Sequence, residues 1–125
     1  MVFNGPDEQF VAGRLMGADS GIGSTYLVML DLYLQADRFI RGGDYVQAAQ
    51  IQKFLTNTTL EILSLHGHLL SGLKHLLRLQ GMEIGEVRRP LVPVSDQDKR
   101  ELEQIAQRIK QETVRWCDCI PGKIQ

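Results

Sequence analysis

The sequence predicts a mostly α-helical chain that opens with two short parallel β-strands. Its first 26 residues alternate β-prone runs with a brief helical pattern, as "MVFN", "DEQFVAGRLMG" and "ADSGIGSTY". Four longer stretches then repeat apolar residues three and four positions apart, the period of a helix with one buried face. Nothing after them supplies a further strand.

The run "MVFN" is cut off by Gly5-Pro6, and Asp7 is placed to open a helix in which Phe10, Val11, Leu15 and the stem of Arg14 share one side. "ADSGIGSTY" holds too many glycines for a helix interior and too few polar breakers for a long loop. It reads as a tightly packed strand ending near Gly23. Strand, helix, strand in succession makes the two strands parallel, and a parallel pair needs cover on both faces. Because the later sequence is helical, we expect further strands upstream of Met1, with "VFN" as the end of one strand of a larger sheet.

The helical stretches follow in order. "YLVMLDLYLQADRFIRGG" places Leu27, Leu30, Leu34, Phe39 and Ile40 at near-helical intervals, and Gly42-Gly43 stop it. Asp44 then caps "YVQAAQIQKFLTNTTLEILSLHG", whose stripe is Ala48, Ile51, Leu55, Thr59, Ile62 and Leu63, with Gly67 as its end. "HLLSGLKHLLRLQG" repeats the design with Leu69, Leu70, Leu73, Leu76 and Leu77, closing at Gly81. "MEIGEVRRPLVPV" has no period and two prolines, so it is an extended connection. Ser95 and Asp98 have capping-box spacing at the start of a last helix that buries Leu102, Ile105, Ala106 and Ile109. The expected organisation is 1–43 for the two βα units, 44–118 for the helical region and 119–125 for a frayed tail.

With 125 residues, 43% of them hydrophobic, the chain can bury one modest core. Its net charge of -1, from 14 basic and 15 acidic side chains, provides no field for nucleic acid or an anionic membrane. No run approaches the ~20 apolar residues of a membrane span, and the N-terminus has no signal-peptide pattern, so a cytoplasmic location is expected. Cys117 and Cys119 are the only cysteines, and we read them as reduced thiols. His66 and His68 are two residues apart and do not face together on a helix, so neither a metal nor another cofactor is expected.

Read by themselves, Asp7 and Glu8 fit a helix N-terminus, where the dipole favours carboxylates. The wider pattern adds a second reading. "G-x-DE" at Gly5, Asp7 and Glu8, "GADSGIGSTY" at 17–26, "GGDYVQAAQIQ" at 42–52 and "GLKHLLRLQGMEIGEVRRPLVPV" at 72–94 together resemble the C-terminal portion of the N-acetylneuraminate lyase and dihydrodipicolinate synthase family. The Asp-Glu pair and the Gly-Ser-Thr-Tyr motif are closer to the N-acetylneuraminate lyase branch. Pro6 and Leu27 depart from it, where the branch often has an aromatic residue and an asparagine.

The resemblance implies a fold and a chemistry. The fold would be the end of a (β/α)8 TIM barrel, with strands seven and eight here, plus the family's C-terminal helices. The reaction would be Schiff-base aldol cleavage releasing pyruvate, with N-acetylneuraminate as substrate. Dihydrodipicolinate synthase or a 2-keto-3-deoxy sugar acid aldolase is the alternative chemistry, and a non-catalytic helical assembly module the alternative role. Gly5, Asp7, Glu8, Ile22, Gly23 and Ser24 would bind substrate, the two carboxylates accepting from sugar hydroxyls. The family's Schiff-base lysine and catalytic tyrosine lie on earlier strands and have no counterpart here. Lys53, Lys74, Lys99, Lys110 and Lys123 fall on predicted helices or in the tail, so the chain alone is expected to be inactive. The expected partners are a sugar acid and pyruvate in the intact enzyme and further copies in a homo-oligomer, tetrameric in the family.

Overall fold

The computed structural model describes residues 1–117. Strands β1 (Phe3–Asn4) and β2 (Ser20–Gly21) pair in parallel, with Phe3 opposite Ser20 and Asn4 opposite Gly21. Between them a 3-10 turn at Asp7–Gln9 runs into α1 (Phe10–Leu15). Gly13 lets this helix lie on β1, since a Cβ there would stand 2.2 Å from the Asn4 side-chain oxygen. The helix stops at Gly17, whose φ of 102° suits a residue without a Cβ. The second strand closes at Gly21, earlier than the expected Gly23. Ile22 still donates its N–H to the Asn4 carbonyl at 3.0 Å, and beyond it Gly23 lies against the Asp7 side chain.

Four helices follow, α2 (Tyr26–Arg41), α3 (Tyr45–Leu63), α4 (Leu69–Leu79) and α5 (Asp96–Cys117). The α2–α3 link is short, and Gly43 turns it at a φ of 78°. Asp44 caps α3 as the sequence predicts, accepting from the Gln47 N–H at 3.3 Å. One core joins Phe10 and Val11 of α1 to Leu32 and Ala36 of α2, Ile51 and Leu55 of α3, Leu73 and Leu76 of α4, and Leu102 and Ile105 of α5. Among the described residues, no helix is long and apolar enough to cross a membrane.

The helices form where their periodicity puts them, but α2 turns a different side inward. Its buried apolar side chains are Val28, Met29, Leu32, Tyr33 and Ala36, while the expected row of Leu27, Leu30 and Leu34 is 59%, 53% and 49% exposed. Helix α2 is apolar on two sides, and the helices within this chain cover only one of them. Leu15 and Leu63 are likewise exposed, Leu70 is more exposed than expected, and Ala106 is only partly buried. Helix α3 ends at Leu63, before Gly67. That glycine serves close packing, since a Cβ on it would lie 2.9 Å from the Val94 Cα.

Residues 82–94 form no helix or strand and are held at Val92, whose carbonyl accepts from the His68 N–H at 2.9 Å and the Ser71 hydroxyl at 2.5 Å. The expected capping box closes in both directions: Ser95 donates its N–H to Asp98 at 2.8 Å, and Asp98 donates its N–H to the Ser95 hydroxyl at 3.1 Å. The same Asp98 carboxylate accepts the backbone N–H groups of His66 and Gly67, each at 3.0 Å. One buried charge therefore joins the α3–α4 turn to the start of α5.

Burial opposes the Asp98 charge, but the hydrogen bonds from Ser95, His66 and Gly67 outweigh it and hold the pKa below the ordinary carboxylate value. With the folded pKa depressed, the stabilisation is present above the unfolded value of about 3.9 and disappears as pH falls through the folded one. Asp98→Asn should lower the unfolding free energy by roughly 2–4 kcal/mol at pH 7. Urea unfolding repeated at acid pH should show the gap between wild type and variant narrowing.

Candidate functional site

Parallel strands side by side deliver their following loops to the same edge, which is where barrels of parallel strands place their sites. Here those loops are residues 5–8 after β1 and 22–25 after β2, and a buried carboxylate joins them. Asp7, 8% exposed, accepts through Oδ2 both the Thr25 N–H at 2.9 Å and the Thr25 hydroxyl at 2.7 Å. The Thr25 oxygen also lies 2.7 Å from the Tyr33 hydroxyl. On the other side of the carboxylate, a Cβ at Gly23 would stand 1.5 Å from Oδ1. This is the local reason for the glycine: any side chain would occupy the place of the carboxylate.

Gly21 serves a second close approach, because a Cβ on it would meet the Tyr26 hydroxyl at 2.3 Å and the Phe10 ring at 2.8 Å. Phe10, Tyr26 and Tyr33 form an aromatic cluster, with Phe10 edge-on to Tyr26 at 6.0 Å and to Tyr33 at 5.3 Å, and the two tyrosines 4.0 Å apart. Burial and then the Asp7 charge push the Tyr26 phenol up to about 12. Burial pushes Tyr33 up as well, reinforced by the charge on Asp7. Both phenols keep their protons at neutral pH, and Tyr33 is available as a donor.

The Asp7–Glu8 turn is also held from below. Neither flanking residue caps α1 with its side chain, and Gln52 of α3 does so from 41 residues away: its Oε1 accepts the Val11 N–H at 2.8 Å. Its amide donates to the Asp7 carbonyl at 3.2 Å and to the Thr56 hydroxyl at 3.1 Å, and Thr56 donates in turn to the Glu8 carbonyl at 3.2 Å. A salt bridge from Arg14 to Asp37, 2.7 Å long, ties α1 to α2.

The six expected binding residues thus have distinct places. Asp7 and Gly23 are in contact. Glu8 and Ser24 are half-buried, and neither side chain makes a hydrogen bond within the described residues. Gly5 and Ile22 are exposed. A hollow of about 390 Å³ beside β2 includes Ile22 and Gly23 in its lining but not Asp7, Glu8 or Ser24, so the six do not share one cavity. Sequence reasoning missed Thr25, Tyr33, Gln52 and Thr56. The polar pair at Gln52 and Thr56, four residues apart beside the apolar stripe of α3, was a legible sign of a buried polar contact.

Lys53, Lys74, Lys99 and Lys110 stand on α3, α4 and α5, away from either strand, and Lys123 lies outside the described residues. His68 caps α4, its Nδ1 accepting the Leu70 N–H at 3.1 Å. Among the described residues, no group of three or more His, Cys, Asp or Glu side chains could hold a metal ion. Cys117 was expected at the edge of a frayed tail. It is buried in the last turn of α5, with its sulfur 3.6 Å from the Asp31 carbonyl, because the helix carries it back against α2. Cys119 and the remaining tail lie outside the described residues.

A sequence profile described as the dihydrodipicolinate synthetase family matches residues 1–109. The chain belongs to that family. Among curated members, the N-acetylneuraminate lyase of Mediterraneibacter gnavus is 39% identical over 110 residues, covering 87% of this chain and 35% of the relative. N-acetylneuraminate lyase 2 of Escherichia coli O6:H1 is 34% identical, covering 90% and 36%. Among solved structures, the sialic acid aldolase of Ruminococcus gnavus superposes with a TM-score of 0.90 at 37% identity, over 93% of this chain and 39% of that one. The N-acetylneuraminate lyase of Fusobacterium nucleatum complexed with pyruvate gives 0.81 at 25% identity, over 87% and 36%.

This family member therefore spans little more than a third of the length of the relatives it matches. Its fold is that of the C-terminal portion of a (β/α)8 barrel with its helical extension, and the likeness to the N-acetylneuraminate lyase branch read from the motifs is borne out. Two substitutions test the local geometry. Gly23→Ala should lower the unfolding free energy by about 2–3 kcal/mol, because Asp7 is fixed by Thr25 and has nowhere to move. Gly5→Ala, where a Cβ meets nothing within 4 Å, should stay close to wild type in the same urea unfolding experiment.

Proposed function

We propose that this chain supplies the sugar-binding side of the site of a Schiff-base lyase that cleaves N-acetylneuraminate to N-acetylmannosamine and pyruvate. One observation carries the reading. The Asp7–Glu8 turn and the Gly23-Ser24-Thr25 turn are locked together by Asp7 at the carboxyl ends of two adjacent parallel strands. The fold in which this occurs superposes on a sialic acid aldolase at a TM-score of 0.90.

In this reading each loop has a task. Glu8 offers carboxylate oxygens to the hydroxyls of the sugar chain, Asp7 shares that work, and Ser24 offers a hydroxyl that acts as donor or acceptor. The Gly5 backbone lines the sugar side of the site. The Ile22–Gly23 backbone lies toward the pyruvate end, where the absence of a side chain at Gly23 permits close approach. The amine that forms the Schiff base comes from outside this chain, because a catalytic lysine needs a desolvated, fixed amine and none of the described lysines on α3 to α5 is buried. The exposed row of Leu27, Leu30 and Leu34 meets the rest of the barrel or a neighbouring copy.

Trapping tests the assignment. The chain, and a version extended by the in-frame region upstream, are incubated with pyruvate and borohydride, and their intact masses are read. A reduced pyruvate adduct should appear on the extended protein alone. An adduct on the 125-residue chain would place the nucleophile among its own lysines and overturn the reading.

A further inference from the structure

The hydrogen bonds around Asp7 are uneven, and proton counting shows what the unevenness does. A carboxylate accepts only, so the 2.7 Å contact with Thr25 is donated by the Thr25 hydroxyl. That hydroxyl has one proton, already used, so its 2.7 Å contact with Tyr33 is donated by the phenol. The chain of donation therefore runs from Tyr33 to Thr25 to Asp7, and the Thr25 N–H adds a second bond to the same oxygen. Oδ2 is fully engaged. Oδ1 receives no hydrogen bond from the described residues, lies against Gly23, and is not among the side-chain polar atoms sealed from solvent.

We propose that Thr25 and Tyr33 are positioning residues that commit one oxygen of Asp7 to the protein and leave the other as a single acceptor for a substrate hydroxyl. The inference rests on the lyase reading above. The supporting groups are rigid: Thr25 is 0% and Tyr33 2% exposed, and the Tyr33 ring is flanked by Phe10 and Tyr26. A carboxylate with both oxygens open suits a bidentate guanidinium, whereas one open oxygen at a fixed angle suits one hydroxyl donor. The arrangement favours a single hydroxyl donor over a bidentate guanidinium. It makes Thr25, which touches no substrate, a determinant of sugar affinity.

The 125-residue chain is titrated with N-acetylneuraminate by NMR as wild type, Tyr33→Phe, Thr25→Val and Thr25→Ser, with hydrogen exchange measured on each. Amides of Glu8 and Ser24 should shift in the wild type. Affinity should fall about 5-fold in Tyr33→Phe and about 10-fold or more in Thr25→Val, and remain near wild type in Thr25→Ser, as expected for loss or retention of a buried hydrogen bond. Equal affinity in all four proteins would overturn the proposal. The Thr25 amide should exchange roughly 10-fold faster in Tyr33→Phe when scaled to the core amide of Leu55, which removes any global loss of stability. An unchanged ratio would also overturn it. No shift in the wild type together with the faster Thr25 exchange would sink the lyase reading and leave the positioning role standing.

Discussion

A single carboxylate, Asp7, decides how the beginning of this chain is arranged. It lies where two strand-following loops meet, and its bonds to Thr25 are the link that turns two separate loops into one surface. Several neighbouring choices follow from its presence. Position 23 has to be glycine because Oδ1 occupies the space of a Cβ, and β2 leaves the ladder after Ile22 so that Gly23 can reach that spot. Tyr33, one side of the core of α2, has its hydroxyl aimed at Thr25 for the same reason.

The same device recurs at the other end of the molecule. Asp98 gathers the backbone N–H groups of Ser95, His66 and Gly67, and Asp7 accepts the N–H and the hydroxyl of Thr25, so in both places a buried carboxylate ties together segments distant in sequence. Between these two points, α3 acts as a brace. Its apolar stripe enters the core, and Gln52 and Thr56 hold the carbonyls of Asp7 and Glu8, so the helical region supports the loops of the proposed site. The edge that carries these loops and its scaffold are not separable pieces of the sequence.

Much of this was legible beforehand because it rests on local rules. Helix starts at Asp44 and Ser95, stops at Gly17 and Gly43, and the parallel pairing of the first two strands all follow from capping, glycine conformation and connectivity, which act within a few residues. What escaped depends on contacts between distant segments. Periodicity says that α2 has apolar residues on more than one side, but not which side this chain covers, and so Leu27, Leu30 and Leu34 were placed inward. The motif pointed to Asp7 and Glu8 as an equal pair. Only the fold distinguishes them, burying Asp7 in a relay and leaving the Glu8 carboxylate without a partner among the described residues.

The three exposed leucines of α2 also bear on how this protein behaves as a quantity. An apolar row that its own helices leave open is covered by something else or by water, and covering it adds binding free energy to folding free energy. Where a second copy or another protein sits on Leu27, Leu30 and Leu34, the stability of the chain is not a fixed property but a function of that protein's concentration. Dilution alone would then weaken the fold, and two preparations of identical sequence would melt at different temperatures.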